Sequence, residues 1–170
     1  MDITANDFLQ ILKSGGVLGW NNWYRKNPGA WLENHSWDFG KERPHPPIGI
    51  DLSRADFSGM ELDGIILDGA NLEGANFLKS SLRGARMRCV EGTGALFIQT
   101  DLRMAEMDLS VLTRANFSFA DLRGASLHWV QVDSATTFRG ARLSGSHMER
   151  LPKGILHSAE VRRVEESWRV

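Results

Sequence analysis

The residue types that could carry chemistry in this chain are few and scattered. The five histidines stand at positions 35, 45, 128, 147 and 157, without the short spacings that zinc ligands favour. His128 and His147 could fall on adjacent layers of one surface, but two ligands do not complete a zinc site. We therefore expect no metal site and no cofactor.

Cys89 is the single cysteine, and Arg86 and Arg88 stand close to it in the sequence. Neighbouring guanidinium groups could lower the pKa of its thiol, as they do in reactive cysteines. A free thiol without a catalytic role is the favoured interpretation. The glycines recur every five residues instead of forming one phosphate-binding loop, so no enzyme signature is present.

The composition is that of an ordinary soluble protein, with 170 residues, a net charge of −1 and 42% hydrophobic residues. No apolar run approaches the ~20 residues of a membrane span, and the start MDITANDFLQ lacks a signal core. A lone cysteine forms no internal disulfide, which is typical of a reducing compartment. These features predict a cytoplasmic location and no membrane binding.

A five-residue repeat dominates the sequence from residue 50 onward, beginning IDLSR, ADFSG, MELDG, IILDG, ANLEG, ANFLK. The third residue of each unit, here called its centre, is apolar in nineteen of twenty units. A helix would spread the centres around its surface, and a plain strand would alternate them between two faces. Only a chain that bends once per unit keeps every centre inside, and the frequent glycine at the last position favours a tight corner.

A second period, of twenty residues, sets the number of sides. The phenylalanine centres are spaced by 20, 20, 20 and 21 residues, with one extra residue near Ala135. Every fourth unit therefore occupies the same side of a four-sided coil, and twenty units give about five coils, roughly 24 Å in length. The predicted core ladders are Phe57, Phe77, Phe97, Phe117 and Phe138 on one side, Leu62, Leu82, Leu102, Leu122 and Leu143 on the next, and Leu67, Met87, Met107, Leu127 and Met148 on a third.

These units resemble the repeats of the pentapeptide-repeat family, whose pattern is A(D/N)Lxx. The resemblance covers residues 50–150 and implies an all-β solenoid, a right-handed quadrilateral β-helix, whose handedness follows from the resemblance alone. Gly92 departs from the pattern, because it replaces a core leucine between Leu72 and Leu112. An uncompensated loss of this kind costs about 2–5 kcal/mol, so we expect Val90 or a local backbone shift to fill the gap.

Both ends are predicted to cap the column, since stacked coils leave open edges. Residues 1–49 form a helical, Trp-rich N-terminal cap, with one helix that stops at Gly16 and a second that ends before Pro28. Trp31 and Trp37 follow in an irregular segment. Residues 151–170 form a short C-terminal cap helix that begins at Ser158. Whether the N-terminal segment covers the end of the column or its side stays open.

Charge alternates along the predicted column. The second coil is net basic, and the acidic first coil holds Asp51, Asp56, Glu61, Asp63 and Asp68. On one side, Asp68, Arg88 and Asp108 should stack, and Arg86 should meet Glu106, in interstrand salt bridges. No basic face persists beyond the second coil, so we expect no direct binding of nucleic acid.

Some relatives that resemble this fold protect DNA gyrase from quinolones by imitating duplex DNA with a long acidic wall. The alternation of charge argues against such a wall in this chain. A DNA mimic that acts on gyrase, in quinolone or toxin protection, is therefore the alternative function.

Apolar side chains at outward positions are the main anomaly. They form one group beside the phenylalanine ladder and another at a different corner, and the candidate interface is Leu78, Leu96, Ile98, Phe119, Leu109, Val111 and Trp129. The Trp-rich segment could cover one group, and a protein partner or a second copy could cover the other. The sequence thus predicts a non-catalytic protein-binding scaffold, with a homodimer as one form of the interaction and no small-molecule substrate.

Overall fold

The structure is a computed structural model that describes residues 5–26, 50–144 and 162–164. Its elements in chain order are helix α1 (Ala5–Lys26) and strands β1 (Asp121–Leu122), β2 (Arg142–Ser144) and β3 (Arg162–Val164). The three strands pair in parallel in the order β1-β2-β3. Single parallel bridges between successive coils hold the rest of the column together.

The bridges confirm a four-sided β-helix with a twenty-residue coil. Asp51 pairs with Asn71, and Asn71 pairs in turn with Glu91. Leu52 N–H donates to the Asn71 carbonyl at 2.8 Å, and Asn71 N–H donates to the Ile50 carbonyl at 3.0 Å. The described residues complete four coils and enter a further one, while the number of coils in the whole repeat region stays a prediction.

Each corner, except the longer one near Ala135, is a tight turn in which the last residue of the unit has a positive φ. Ala55 N–H donates to the Leu52 carbonyl at 3.1 Å, and this bond recurs unit after unit. Glycine occupies eight of these corner positions without steric cost, whereas each L-residue there costs about 1–2 kcal/mol. The L-residues with positive φ are Arg54, Lys79, Cys89, Gln99, Met104, Leu109, Arg114, Phe119 and Trp129.

The core is a set of stacked ladders. Neighbouring rings of the Phe57–Phe138 ladder lie 4.9, 5.1, 4.9 and 4.8 Å apart between centroids and are stacked. All ten residues of the phenylalanine and leucine ladders are buried. We name the sides by their centres: the Phe side, the Leu side, the Met side and the Gly92 side.

Gly92 keeps its place in the ladder because Leu112 of the next coil fills the space beside it. A Cβ at residue 92 would lie 3.0 Å from Leu112 Cδ2. Gly92 N–H still donates to the Val111 carbonyl at 2.7 Å, so the backbone has not shifted. The expectation of a backbone shift is therefore wrong. Val90 stands two residues before Gly92, where the neighbouring coils have Ala70 and Ser110, and it is fully buried; that its larger side chain helps to fill the gap stays a prediction.

The extra residue of the repeat is absorbed in one corner. Val111 pairs with Gln131 at a separation of twenty residues, but Asn116 pairs with Thr137, twenty-one residues on. Between them, Asp133 Oδ1 accepts the N–H groups of Ala135 and Thr136 at 3.1 and 2.9 Å. The carboxylate organises the longer corner, and the ladder resumes in register after it.

Helix α1 lies over the open end of the first coil. It breaks at Gly16 (φ 58°, ψ −163°), in agreement with the two predicted helical segments. Phe8 packs edge-on against Trp20 and against Phe57, the first ring of the core ladder. No helix in the described part of the chain is long and apolar enough to cross a membrane. Trp31 and Trp37 lie outside the described residues.

Strand β3 overturns part of the prediction for the C-terminus. Arg162 pairs with Arg142 and Val164 with Ser144, so residues 162–164 add a further layer to the Leu side instead of forming a helix. The separation of twenty residues repeats the coil length, and pairing with the open edge of β2 outweighs the local helical pattern. Ser158 lies outside the described residues.

Candidate protein-interaction surface

The outward surface of the Phe side, the Phe wall, carries an apolar patch of four residues: Leu78, Leu96, Ile98 and Phe119. Leu96 lies at the middle of the ladder of bridges that joins Asn76, Leu96 and Asn116. Leu96 is 37% exposed and Phe119 56% exposed, while Leu78 and Ile98 are half-buried. The patch therefore presents apolar surface to solvent on three successive coils.

Leu96 interrupts a row of local hydrogen bonds on this wall. In the equivalent positions, Asp56, Asn76 and Asn116 each accept the backbone N–H two residues ahead, at 3.0, 3.1 and 3.0 Å. A leucine cannot accept a hydrogen bond, and no described side chain accepts the Ile98 N–H. A net hydrogen bond of about 0.5–1.5 kcal/mol is forgone at this position. Local stability thus does not account for the leucine.

Phe119 is held at its corner by a glycine in the next coil. Its backbone has φ 61°, and its ring lies over Gly140. A Cβ at residue 140 would lie 2.6 Å from Phe119 Cδ1, closer than real Cβ contacts allow. The glycine therefore makes room for the ring, which stays against the column while half of it faces solvent.

A second apolar cluster, the Trp129 corner, consists of Leu109, Val111 and Trp129. Trp129 is 76% exposed, and the other two are half-buried. Sequence reasoning missed Met104, which is 68% exposed at another corner. Its place at the last position of a unit, where glycine is common, was the available signal.

Asp68 lies in the first coil and pairs with Arg88 as predicted, but it does not contribute to an exposed acidic surface. It is buried and forms ion pairs with Arg86 and with Arg88, the latter at 3.0 Å. The hydrogen bond that the Arg88 guanidinium donates to Asp68 raises the pKa of Arg88. The expected salt bridge between Arg86 and Glu106 does not form, although the backbones of these two residues are paired. Arg86 binds Asp68 instead, and Glu106 lies 3.7 Å from Arg88.

The Leu side also neutralises its own carboxylates. Arg103 pairs with Asp101 at 2.5 Å, and Arg123 pairs with Asp121 at 2.6 Å. The side-chain hydrogen bond from Arg103 lowers the pKa of Asp101. Burial acts to raise the pKa of Asp121, but the hydrogen bonds and charge of Arg123 outweigh it and lower that pKa. Four exposed acids, Asp51, Asp56, Glu61 and Asp63, lie in the first coil, and Glu73 of the second coil is exposed as well.

The candidate chemical groups have no catalytic geometry. Burial, with a contribution from Asp68, raises the pKa of Cys89 to about 11, which is opposite to the shift that its arginine neighbours suggested. His128 Nδ1 faces both Ser126 Oγ at 2.6 Å and Asp108 Oδ1 at 3.1 Å. A proton relay needs these two partners on different ring nitrogens. Among residues 5–26, 50–144 and 162–164, no group of three metal-binding side chains occurs.

A shallow recess of about 320 Å³ opens on the Gly92 side, where Gly74 and Gly94 carry no side chains. Arg54 and Arg114 border it, and Glu73 and Thr93 complete its lining. It contains neither a histidine nor a cysteine, and its arginines are three coils apart. The recess does not bring together an acid, a base and a nucleophile.

Comparison with known proteins supports the architecture. Residues 50–88 and 93–128 match the family model of pentapeptide repeats, in eight copies. A pentapeptide repeat protein from the thylakoid lumen of Arabidopsis thaliana is 33% identical, with a TM-score of 0.53 over 54% of this chain and 63% of that chain. This chain therefore spans less than two thirds of that protein.

Two further structures have lower identity. The pentapeptide repeat protein Rfr23 from the cyanobacterium Cyanothece 51142 is 24% identical, with a TM-score of 0.51 over 60% of this chain and 69% of that chain. A trypsin-treated form of QnrB1, a plasmid-mediated fluoroquinolone resistance protein, is 25% identical over 58% of this chain and 47% of that chain. Its TM-score of 0.24 is too low to support a functional argument.

No curated protein matched the chain in the sequence search. The repeat match, the bridges and the two structures with TM-scores above 0.5 agree on one architecture. The resemblance read from the sequence is thereby confirmed: the chain carries the repeats of the pentapeptide-repeat family, folded as its four-sided β-helix.

Proposed function

We propose that this protein is a non-catalytic scaffold that binds another protein chain through the apolar patch of its Phe wall. The observation that carries the proposal is Leu96, which replaces a hydrogen-bonding residue of the repeat and exposes apolar surface beside Phe119. The patch stands on a backbone that is hydrogen-bonded to the coils before and after it. Such a preformed surface loses little conformational entropy when a partner binds.

A cytoplasmic location belongs to the same proposal. Its support is the single cysteine, which is free and buried, as expected in a reducing compartment. The Arabidopsis relative comes from the thylakoid lumen. Fractionation of the producing cells would test the location directly.

Photo-crosslinking would test the binding surface. A photo-reactive amino acid in place of Ser118 lies on the Phe wall beside the patch, and the same amino acid in place of Thr113 is the matched control. Each of the two residues directly follows the centre of its own unit, the two units lie in the same coil, and both residues are half-buried. We expect protein adducts from position 118 and few from position 113. Equal yields at the two positions, or none at either, would refute the proposal.

Two substitutions can remove the two exposed side chains of the patch while restoring the repeat pattern. Leu96→Asn recreates the ANF tripeptide of coils two and four, and Phe119→Gly places glycine at a positive-φ corner. The double variant should be at least as stable as the wild type but lose the adducts. Met104→Gly removes an exposed side chain from a different corner and serves as the control. Loss of adducts in this control would indicate a general change in the column.

The DNA-mimic alternative has less support. A DNA mimic needs a continuous acidic wall. Beyond the first coil, Asp101 and Asp121 form ion pairs with arginines, which neutralise their charge. A supercoiling assay with DNA gyrase, with and without a fluoroquinolone, would separate the two functions. Inhibition or drug protection by the chain would favour the mimic over the scaffold.

A further inference from the structure

We propose that the partner bound by the apolar patch is a second copy of this chain, packed face to face with its column antiparallel. This inference rests on the proposed function of the patch. The two-fold axis would run along the strand direction through the third coil, where Leu96 and Ile98 lie. Each of these residues would then meet its own counterpart, as in any isologous interface.

Charge on the Phe wall favours this orientation. Asp56 lies in the first coil and Arg139 in the fifth, two coils before and two coils after the centre of the patch. Both residues are exposed. An antiparallel dimer places Asp56 of one copy opposite Thr137 of the other, two residues (about 7 Å) along the strand from Arg139, so the long arginine side chain reaches the carboxylate diagonally, twice. A parallel dimer would gather both carboxylates at one end and both guanidinium groups at the other, which is repulsive.

The corner beside the patch is also self-complementary under this symmetry. Gly59 of one copy would lie opposite Gly140 of the other, so the Phe119 ring that covers Gly140 would meet no opposing side chain at Gly59. Lys79, in the second coil, would lie opposite Phe119 of the fourth coil in the second copy. An ammonium group over an exposed aromatic ring contributes a favourable cation–π contact.

The size of the wall indicates a weak dimer. Five coils rise about 24 Å, and the five residues of one unit span at most about 17 Å, so the wall covers roughly 400 Å². A stable interface buries about 800 Å² on each partner. Dimerisation should therefore be reversible and should depend on protein concentration.

Sedimentation equilibrium of the purified chain, from micromolar to about 1 mM, would test the inference. We expect Asp56→Arg and Arg139→Asp each to weaken self-association roughly tenfold, since two exposed ion pairs become repulsive. An equimolar mixture of the two variants should associate as well as the wild type, because each then supplies the charge that the other lacks. A folding defect in either variant cannot produce this recovery, and circular dichroism of each variant would detect one.

Asp51→Arg is the matched control. Asp51 and Asp56 have the same local bonds, each accepting the N–H two residues ahead and an asparagine amide of the next coil. Asp51 lies on the Gly92 side, so its reversal should leave the dimer unchanged. Loss of the dimer in this control would refute the assignment to the Phe wall.

A wild-type chain that stays monomeric at every concentration would overturn the inference. If position 118 still forms adducts with a different protein, the scaffold function survives and only the second copy is excluded. If no adducts form at all, both proposals fail. A wild-type dimer with no recovery in the mixture would overturn the antiparallel arrangement.

Discussion

Phe119 and Gly140 show how one corner position controls the chemistry of a wall. The positive φ at the end of each unit favours glycine, yet nine of these corners carry L-residues. At residue 119 the strained backbone presents a phenylalanine ring, and the missing side chain at residue 140 gives the ring a place to lie. The exposed apolar surface therefore depends on a pair of residues twenty-one positions apart.

Substitution of Gly140 should cost more than substitution of Gly59 in the same row of corners. Both residues have positive φ, but a Cβ at residue 59 meets nothing within 4 Å. We expect Gly59→Ala to lower the free energy of unfolding by about 1 kcal/mol and Gly140→Ala by about 2 kcal/mol, because the latter also displaces the Phe119 ring. Urea denaturation of the two variants would measure the difference. The excess should vanish in a Phe119→Gly background, and an excess that persists would contradict the explanation.

At the scale of elements, α1 supplies the hydrogen bonds that a preceding coil would have supplied. In the second coil, the carbonyls of Arg86 and Arg88 accept N–H groups from the first coil, and Arg86 N–H donates to Ile65. The equivalent groups of the first coil are satisfied by α1. Trp20 Nε1 donates to the Ile66 carbonyl at 2.6 Å and the Tyr24 hydroxyl to the Asp68 carbonyl at 3.2 Å.

Asn21 substitutes for a peptide group at this edge. Its amide donates to the Gly64 carbonyl at 2.8 Å and accepts Ile66 N–H at 2.9 Å. Asn21→Ala leaves both backbone groups unpaired, so we expect a loss of about 2 kcal/mol in the free energy of unfolding. Hydrogen exchange of the Ile66 amide should accelerate before exchange in the later coils. The exposed Asn22→Ala is the control, and equal effects of the two substitutions would disprove this role.

The paired carboxylates of the Leu side predict how stability depends on pH. The pKa values of Asp101 and Asp121 are lowered in the folded chain from an ordinary value of 3.8. Their contribution is therefore complete above pH ~3.8 and is lost as the pH falls through the lowered values. The double variant Asp101→Asn, Asp121→Asn should lose less stability between neutral and acidic pH than the wild type. Thermal unfolding across this pH range would measure the difference, and Glu61→Gln on the Leu side is the control. If the double variant lost as much stability at acidic pH as the wild type, the prediction would be contradicted.

For the whole molecule, the sequence predicted the four-sided column because the two periods decide which residue faces inward at every unit. It did not predict where Asp68 lies. The repeat places that side chain outside, but Tyr24 of α1 packs at this corner and two arginines of the next coil pair with the carboxylate. The pairing of Asp68 with Arg88 follows from the twenty-residue period and is confirmed. The contact with Tyr24 joins residues that are distant in sequence, and no periodic pattern encodes it.

The C-terminal strand and the apolar patch also show which features the sequence pattern could not predict. Residues 162–164 pair with β2 across twenty residues, whereas the helical prediction used only their local spacing. For the patch, the sequence identified Leu96 and Phe119 as outward residues, and the structure gives their exposure. What binds them depends on shape and charge over five coils, which only the assembled wall displays.

The corner at Asp133, which absorbs one extra residue, indicates how columns of this kind can change length over evolution. Gain or loss of a full coil leaves every later side facing the same direction. Gain or loss of a single five-residue unit would rotate all later units by a quarter turn. The later phenylalanine centres would then lie on a neighbouring side of the column, and the residues of the patch would face two different directions. A single residue can be accommodated locally, as near Ala135, because the turn bulges while the ladder keeps its register. Descendants of this chain should therefore differ in length by about one residue or by whole multiples of twenty, and seldom by five.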